Sequence, residues 1–243
     1  MAEASKSKKL ARFVSELETA HGDNLSSVTV YGSTARDDED ASARHDVLIV
    51  LRQVALDDLR RAIEPIRNWT RSGQPMPVYF SHEELQRAAD VFPIEFLQME
   101  QARRVVYGTD PFEFVEISNA NLRHQTEYEL RTKCLQLRRL YFAAAASAEQ
   151  LTRLMTDSLS SFVALFRAVL ILHGVPPPPS KRDAVQATTR VLGLDISPFN
   201  QISQLSEQKK ARLTKSDAET LFGNYLGEIQ RVIDAIDKIE PNS

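Results

Sequence analysis

The 243 residues carry 30 basic and 33 acidic side chains, a net charge of −3, with 42% hydrophobic and 26% charged residues. That is the composition of an ordinary globular chain, long enough for one large domain or two small ones, and its slight acidity does not indicate a strongly basic nucleic-acid binder. The single cysteine, Cys134, excludes an internal disulfide and a cysteine-based metal site and fits a reducing compartment.

The charge is unevenly spread. Residues 1–117 hold 14 basic and 20 acidic side chains (−6), and residues 118–243 hold 16 and 13 (+3). The N-terminal MAEASKSKKLARF is charged and lacks an apolar core of roughly ten residues, so no export signal is expected. The most apolar run, Phe162–Leu172, is interrupted by Arg167 and reads as too short for a membrane span. These features lead to the expectation of a cytoplasmic protein without a membrane partner.

In chain order, Lys6–Ala20 has apolar residues at helical spacing (Leu10, Phe13, Val14, Leu17), with Gly22 as a stop. Leu25–Tyr31 is rich in β-branched residues and reads as a strand closed by Gly32. Thr34–Arg36 opens a short helix, ended by the acidic run Asp37–Asp40. Val47–Leu51 is a continuous apolar run, the mark of a central strand covered on both faces. Leu56–Trp69 is a helix with the stripe Leu56, Leu59, Ile63, Ile66, Trp69. Ser72–Pro75 is a turn, and Met76–Phe80 a third strand. Ser81 with Glu84 three residues on makes a capping box for a helix to Ala89. Val91–Met99 is expected as a further strand, and Arg104–Tyr107 as a short apolar segment closed by Gly108. Trp69 and Phe92 are expected in the core.

After residue 118 the character changes. Asn119–Ala146 reads as one long helix, Ala148–Leu172 as a second that is apolar on nearly every side, and Arg182–Leu192 and Asp217–Ile239 as further helices. The four prolines Pro176–Pro179 form a rigid spacer. The chain therefore reads as α+β: a small mixed sheet with flanking helices over residues 1–117, then a helical bundle over residues 118–243. An apolar face left over on the last helix would favour a homodimer.

Gly32-Ser33 follows a strand directly and opens a helical turn. Backbone N–H groups at such a turn converge on an anion; glycine lets a phosphate approach the main chain, the Ser33 hydroxyl can donate to it, and Arg36 adds charge one turn later. The plain alternative is a strand-to-helix turn with a serine cap. Asp46 stands at the mouth of an apolar strand, where an unpaired carboxylate is costly. It reads either as a ligand for Mg²⁺ beside a triphosphate or as a partner for Arg44, Arg36 or a backbone N–H.

GSTAR (residues 32–36), a variable loop, and an acid entering the strand RHDVLIVL are similar to the nucleotidyltransferase superfamily related to DNA polymerase beta, whose pattern is Gly-Ser, a loop, then Asp-x-Asp at the head of a strand. A small α/β domain followed by a helical bundle resembles the kanamycin-type nucleotidyltransferases, and MPVYFSHEEL fits their third core strand and the helix after it. The resemblance implies a nucleoside triphosphate or other phosphate ligand at Gly32 and Ser33 in a cleft between the domains. It also implies Mg²⁺ held by Asp46, and transfer of a nucleotidyl group to a hydroxyl. A carboxylate of the helical half would act as general base: Glu129 is nominated, with Arg131 as a phosphate contact. The plainer reading of this helix is two surface pairs, Glu129 with Lys133 and Glu127 with Arg131.

The carboxylates depart from the pattern. Acids at i and i+2 share one face of a strand and can grip the same ions. Here Asp46 takes the second position and Arg44 the first, or, in a register slid by two, Asp46 takes the first and Leu48 the second. Met76–Phe80 offers no third acid, although Glu95 would supply one if its segment were the next strand. Arg44 could pair with Asp46 or meet a phosphate directly. The alternative function is thus a catalytically degenerate binding or regulatory protein. A toxin–antitoxin component is a third reading, by analogy of fold alone. Arg167, amid apolar residues, needs a partner, with Asp157, Glu127 or a ligand as candidates.

Overall fold

Residues 3–32, 44–113, 115–207 and 213–239 are described by a computed structural model, in which the chain divides into two units, Met1–Ser118 and Asn119–Ser243.

The first unit is organised by a four-stranded sheet. Helix α1 (Glu3–His21) and a short 3₁₀ turn lead into β1 (Leu25–Tyr31), and β2 (Asp46–Leu51) follows. Next come α2 (Leu56–Arg71), β3 (Val78–Ser81), α3 (His82–Ala88), α4 (Pro93–Gln101) and β4 (Arg103–Gly108). The order across the sheet is β3-β2-β1-β4. β1 is antiparallel to both neighbours, whereas β2 and β3 run parallel. A parallel pair cannot be closed by a hairpin, so α2 makes the crossover.

The two central strands are covered on both faces, as their continuous apolar runs require. Leu10, Phe13 and Leu17 of α1 and Trp69 of α2 cover Val28, Val30, Val47, Ile49 and Leu51. On the other face, Leu48 and Val50 meet Leu85, Ala89, Phe96, Met99 and Phe112. Alternation along β2 puts Asp46 on this second face, in line with Leu48 and Val50.

Four expectations for this unit are corrected. Residues 93–101 are helical, not a strand: Pro93 sits in the first helical turn, where its missing N–H costs nothing. The fourth strand is instead β4, which begins at Arg103, and the third starts at Val78 rather than Met76. The buried face of α2 is Asp58, Ala62, Pro65 and Trp69, leaving Leu56, Leu59 and Ile63 62%, 43% and 50% exposed. Trp69 sets this rotation. Its ring stacks on Phe13 at 4.4 Å and its N–H donates to Pro75 O at 3.0 Å. Asp58 is tolerated inside because it accepts from Ala55 N–H, the Asn24 amide and Arg61. Phe92, finally, is exposed, since it precedes α4 rather than lying within a strand. The capping box at Ser81 is present in both halves, Glu84 N to Ser81 Oγ at 3.1 Å and Ser81 N to Glu84 Oε2 at 2.7 Å.

The second unit is helical among its described residues: α5 (Asn119–Ala144), α6 (Ala148–Leu172), α7 (Lys181–Leu192), α8 (Ser197–Glu207) and α9 (Lys215–Asp237). α6 touches each of the other four. Its full 25 residues reach the length and apolar content of a membrane-crossing helix, more than the run 162–172 suggests, and it packs as the central helix of this unit. Phe162 and Phe199 meet Tyr225 edge to face, and the Tyr225 hydroxyl pairs with Ser158 at 3.1 Å. α8 has no counterpart among the expected elements; its buried residues are only Pro198, Phe199 and Ile202. Arg167 pairs with neither Asp157 nor Glu127, which pair with Arg153 and with Arg123 and Arg131. It donates to Pro179 O at 2.6 Å and Pro178 O at 3.4 Å, carbonyls of a proline run that has no N–H groups to pair with them.

Candidate functional site

β1 ends at Tyr31, which pairs directly with Asp46 on β2 and with Arg103 on β4. Directly paired residues of neighbouring strands share a face, so Asp46, Tyr31 and Arg103 form one row across the sheet. Gly32 follows with φ +85°, and a Cβ built on it would lie 3.4 Å from Asp46 Oδ2. A Cβ would thus fit in ordinary contact beside the carboxylate, and it is the backbone conformation, which side chains disfavour, that calls for glycine. Its N–H is not directed at a ligand. It donates to Ala102 O at 2.9 Å, so any main-chain donors for an anion lie beyond Gly32. Ser33, Arg36 and the acidic run Asp37–Asp40 are outside the described residues.

Burial pushes the Asp46 carboxyl above the usual carboxylate range, with Arg44 and His45 offsetting part of the rise. Burial and the nearby Asp46 charge also raise the Tyr31 hydroxyl, keeping it protonated. The main chain at His45 is anchored by its N–H to Gln74 Oε1 at 2.8 Å. Arg103 is committed elsewhere: it grips Asp110 at 2.7–3.1 Å, donates to Glu100 O at 2.7 Å and lies over the Phe112 ring at 5.3 Å. Although burial works against it, hydrogen bonds from Arg103 and the Phe112 N–H hold Asp110 below its ordinary value.

The second acid of an Asp-x-Asp pair is not supplied by this strand. Leu48, at i+2 from Asp46, is 0% exposed within the core, so the register that makes Asp46 the second acid and Arg44 the first position is the one that fits. β3, Val78–Ser81, carries no carboxylate, and its register sets Val78 beside Leu48. Glu95 lies exposed on α4 rather than on a strand. Among the described residues no group of three or more His, Cys, Asp or Glu side chains is placed to hold a metal. Among the described residues, one carboxylate with an arginine two residues before it does not make a site for two divalent ions.

Glu129 and Arg131 lie on α5 in the second unit, where both make pairs within that unit. Glu129 Oε2 is 3.7 Å from Lys133 Nζ. Arg131 Nε donates to Glu127 Oε1 at 2.8 Å, and its Nη2 is 3.5 Å from Asp237. Glu127 also accepts from Arg123 Nη1 at 2.9 Å. The sequence reading missed Tyr31 and Arg103. The signal for Tyr31 was its place immediately before Gly32; Arg103 needed β4 to be recognised as a strand.

No protein-family model matches the sequence, and no curated protein matches it. Among solved structures the chain is similar to the crystal structure of spectinomycin adenyltransferase AAD(9) from Enterococcus faecialis with ATP and spectinomycin, at a TM-score of 0.56 and 13% identity, covering 95% of this chain and 99% of that one. The chain has the nucleotidyltransferase fold. At this identity the likeness concerns the fold, and function must be argued from the site. In this chain Gly32 follows β1 and Asp46 stands at the head of β2.

Proposed function

We propose that this chain binds a nucleoside triphosphate, or another phosphate ligand, at the turn after β1, as a nucleotidyltransferase-fold protein with an incomplete set of catalytic carboxylates. The observation that carries the reading is the juxtaposition of Gly32 with Asp46; in the register that makes Asp46 the second acid, Arg44 takes the place of the first. Glycine lets a phosphate come close to the main chain, and the arginine favours an anion over a cation. Ser33 and Arg36, by their place in the sequence, are the further phosphate contacts of this reading.

A second reading, transfer of a nucleotidyl group to a hydroxyl acceptor, is favoured by the likeness along 95% of the chain to an adenyltransferase whose structure holds ATP and spectinomycin. In that reading Asp46 and Glu129 are the acids in play, with Arg131 a phosphate contact. The two separate in one pair of measurements: thermal denaturation with each NTP, and incorporation of label from α-labelled NTPs into hydroxyl-bearing acceptors. The binding reading expects ATP to raise Tm without transfer of label, and transfer abolished in Asp46→Ala establishes the enzyme. Neither effect with any NTP overturns both readings.

A further inference from the structure

β3 is an outer strand of the sheet, and among the described residues no strand pairs with its far side. An open edge is a template for further pairing, which charges, proline or a bulge discourage. The opposite edge, β4, has Arg103 and Arg104 and a shifted register against β1. Val78–Ser81 has neither charge nor proline, and its register with β2 runs unbroken.

The surface beside this edge is apolar. Leu59 and Ile63 of α2 form one wall of an open groove of about 430 Å³, and Met76, Pro77 and Tyr79 form the other. Leu56 lies on the same stripe of α2, and Met76 is 67% exposed. On the other face of the sheet, in line with Leu48, Val78 is exposed at the same edge.

We propose that the chain forms a two-fold dimer through this edge, with β3 pairing antiparallel to β3 of a second copy and α2 packing against its counterpart. Three features single out a second copy as the occupant. The first is spacing. As the crossover between neighbouring parallel strands, α2 lies over β2 and β3, so strands about 4.8 Å apart put it about 5 Å from the two-fold axis. Its copy is then about 10 Å away, the distance of packed helices. Pairing the strands thereby closes the groove of both copies at once.

The second is charge. The two-fold axis makes the helices antiparallel, which sets Asp57 in the first turn of one α2 toward Arg71 in the last turn of the other. Arg60 and Arg67, at the border of the stripe, are already paired with Asp57 and Glu64, so like charges do not oppose the contact. The third is area. Leu56, Leu59, Ile63 and Met76 at their exposures present roughly 400 Å² of apolar surface, the size that marks an interaction site. A stable dimer buries about 800 Å² per partner with an apolar centre and a polar rim, and the flanking charged residues with the backbone of β3 supply that rim.

The test is sedimentation velocity of the full chain over a range of concentrations. The expected mass is twice 27.4 kDa at high concentration, falling toward 27.4 kDa on dilution. Ile63→Asp, at the centre of the stripe, is expected to weaken the dimer at least about tenfold. Leu56→Asp is a second variant that adds an acid where a helix N-terminus favours one, so it keeps the fold and is expected to weaken the dimer in the same direction. Amide exchange at Val78–Phe80 should slow as concentration rises. Ile63→Cys is expected to join to its own copy by a disulfide on mild oxidation, and Leu135→Cys, exposed on α5, is not. A monomer at every concentration overturns the inference, and slow exchange at Val78–Phe80 in that monomer would mean that its own chain covers the edge. A dimer that persists in both aspartate variants places the contact elsewhere and overturns it as well.

Discussion

Gly32 stands against Asp46: a Cβ on the glycine would lie 3.4 Å from Asp46 Oδ2, at a backbone φ of +85°. The backbone alone makes Gly32→Ala costly, by about 1–2 kcal/mol for a side chain in the left-handed region. The added methyl would sit in ordinary contact with the carboxylate, so the cost is the backbone's. Urea denaturation is expected to show a loss of that size, and ATP is expected to lose its stabilising effect on Tm. A variant that is destabilised but still responds fully to ATP would separate the turn's structural role from its place in the site.

Asp46 itself is held at a cost. Its carboxyl is raised by burial, so the folded chain keeps the proton to higher pH than the unfolded chain does. Between the unfolded value, near 3.8, and the higher folded value, the native state binds more protons. This group's contribution therefore falls as pH rises through that window and stays lower above it. Asp46→Asn removes this term. The expected outcome is a Tm at neutral pH raised by about 2 °C, shrinking to nothing in acid, measured by calorimetry across pH. A Tm that falls at neutral pH would mean the charge is paired more strongly than its burial indicates.

Much of the fold was legible because its signals are local. The unbroken apolar run Val47–Leu51 required a covered strand, and Ser81 with Glu84 announced a cap that the structure forms. The errors arose where tertiary contacts outweigh local pattern. The stripe Leu56, Leu59, Ile63 has helical spacing, but Trp69 stacks on Phe13 and turns a neighbouring face inward. The segment after Val91 is too short for its period to be read, and Pro93 served as a helix start where a strand was expected. The sequence pattern singled out Gly32 and Asp46, which the structure sets side by side. It could not show that the Gly32 N–H is spent on Ala102, or that Tyr31 and then Arg103 follow Asp46 in one row across the sheet, since these depend on which strands become neighbours.

Gly108 ends β4 at φ +74°, and a Cβ there would fall 1.9 Å from Ser26 O, a backbone atom. Neither atom can give way without moving β1 or β4. Gly108→Ala is expected to cost more than about 3 kcal/mol, read as a loss of soluble folded protein or a large drop in urea midpoint. The contrast with Gly32→Ala is useful, because Gly108 is remote from Asp46 along the strands and its variant should destabilise without a specific effect on ligand response in whatever fraction folds.

Glu127 carries an ion-pair network that ties α5 to the end of α9. It accepts from Arg131 and Arg123, and these lie beside Asp237 and Ile236 O respectively. The hydrogen bond from Arg131 leads the causes that hold its carboxyl below the ordinary value, with burial opposing. A depressed carboxyl stabilises the fold above its unfolded value, near 4.5, and that stabilisation is lost as pH falls through the lower folded value. Glu127→Gln keeps the shape and removes the charge. At neutral pH it is expected to cost about 1–2 kcal/mol, since Arg123 is mostly buried and loses a charged acceptor. The cost should shrink as pH drops below the folded value, where the wild-type group is itself neutral. Urea midpoints of both proteins at neutral and acid pH decide it: a difference that does not narrow in acid would show that the glutamate acts through packing and not through its charge.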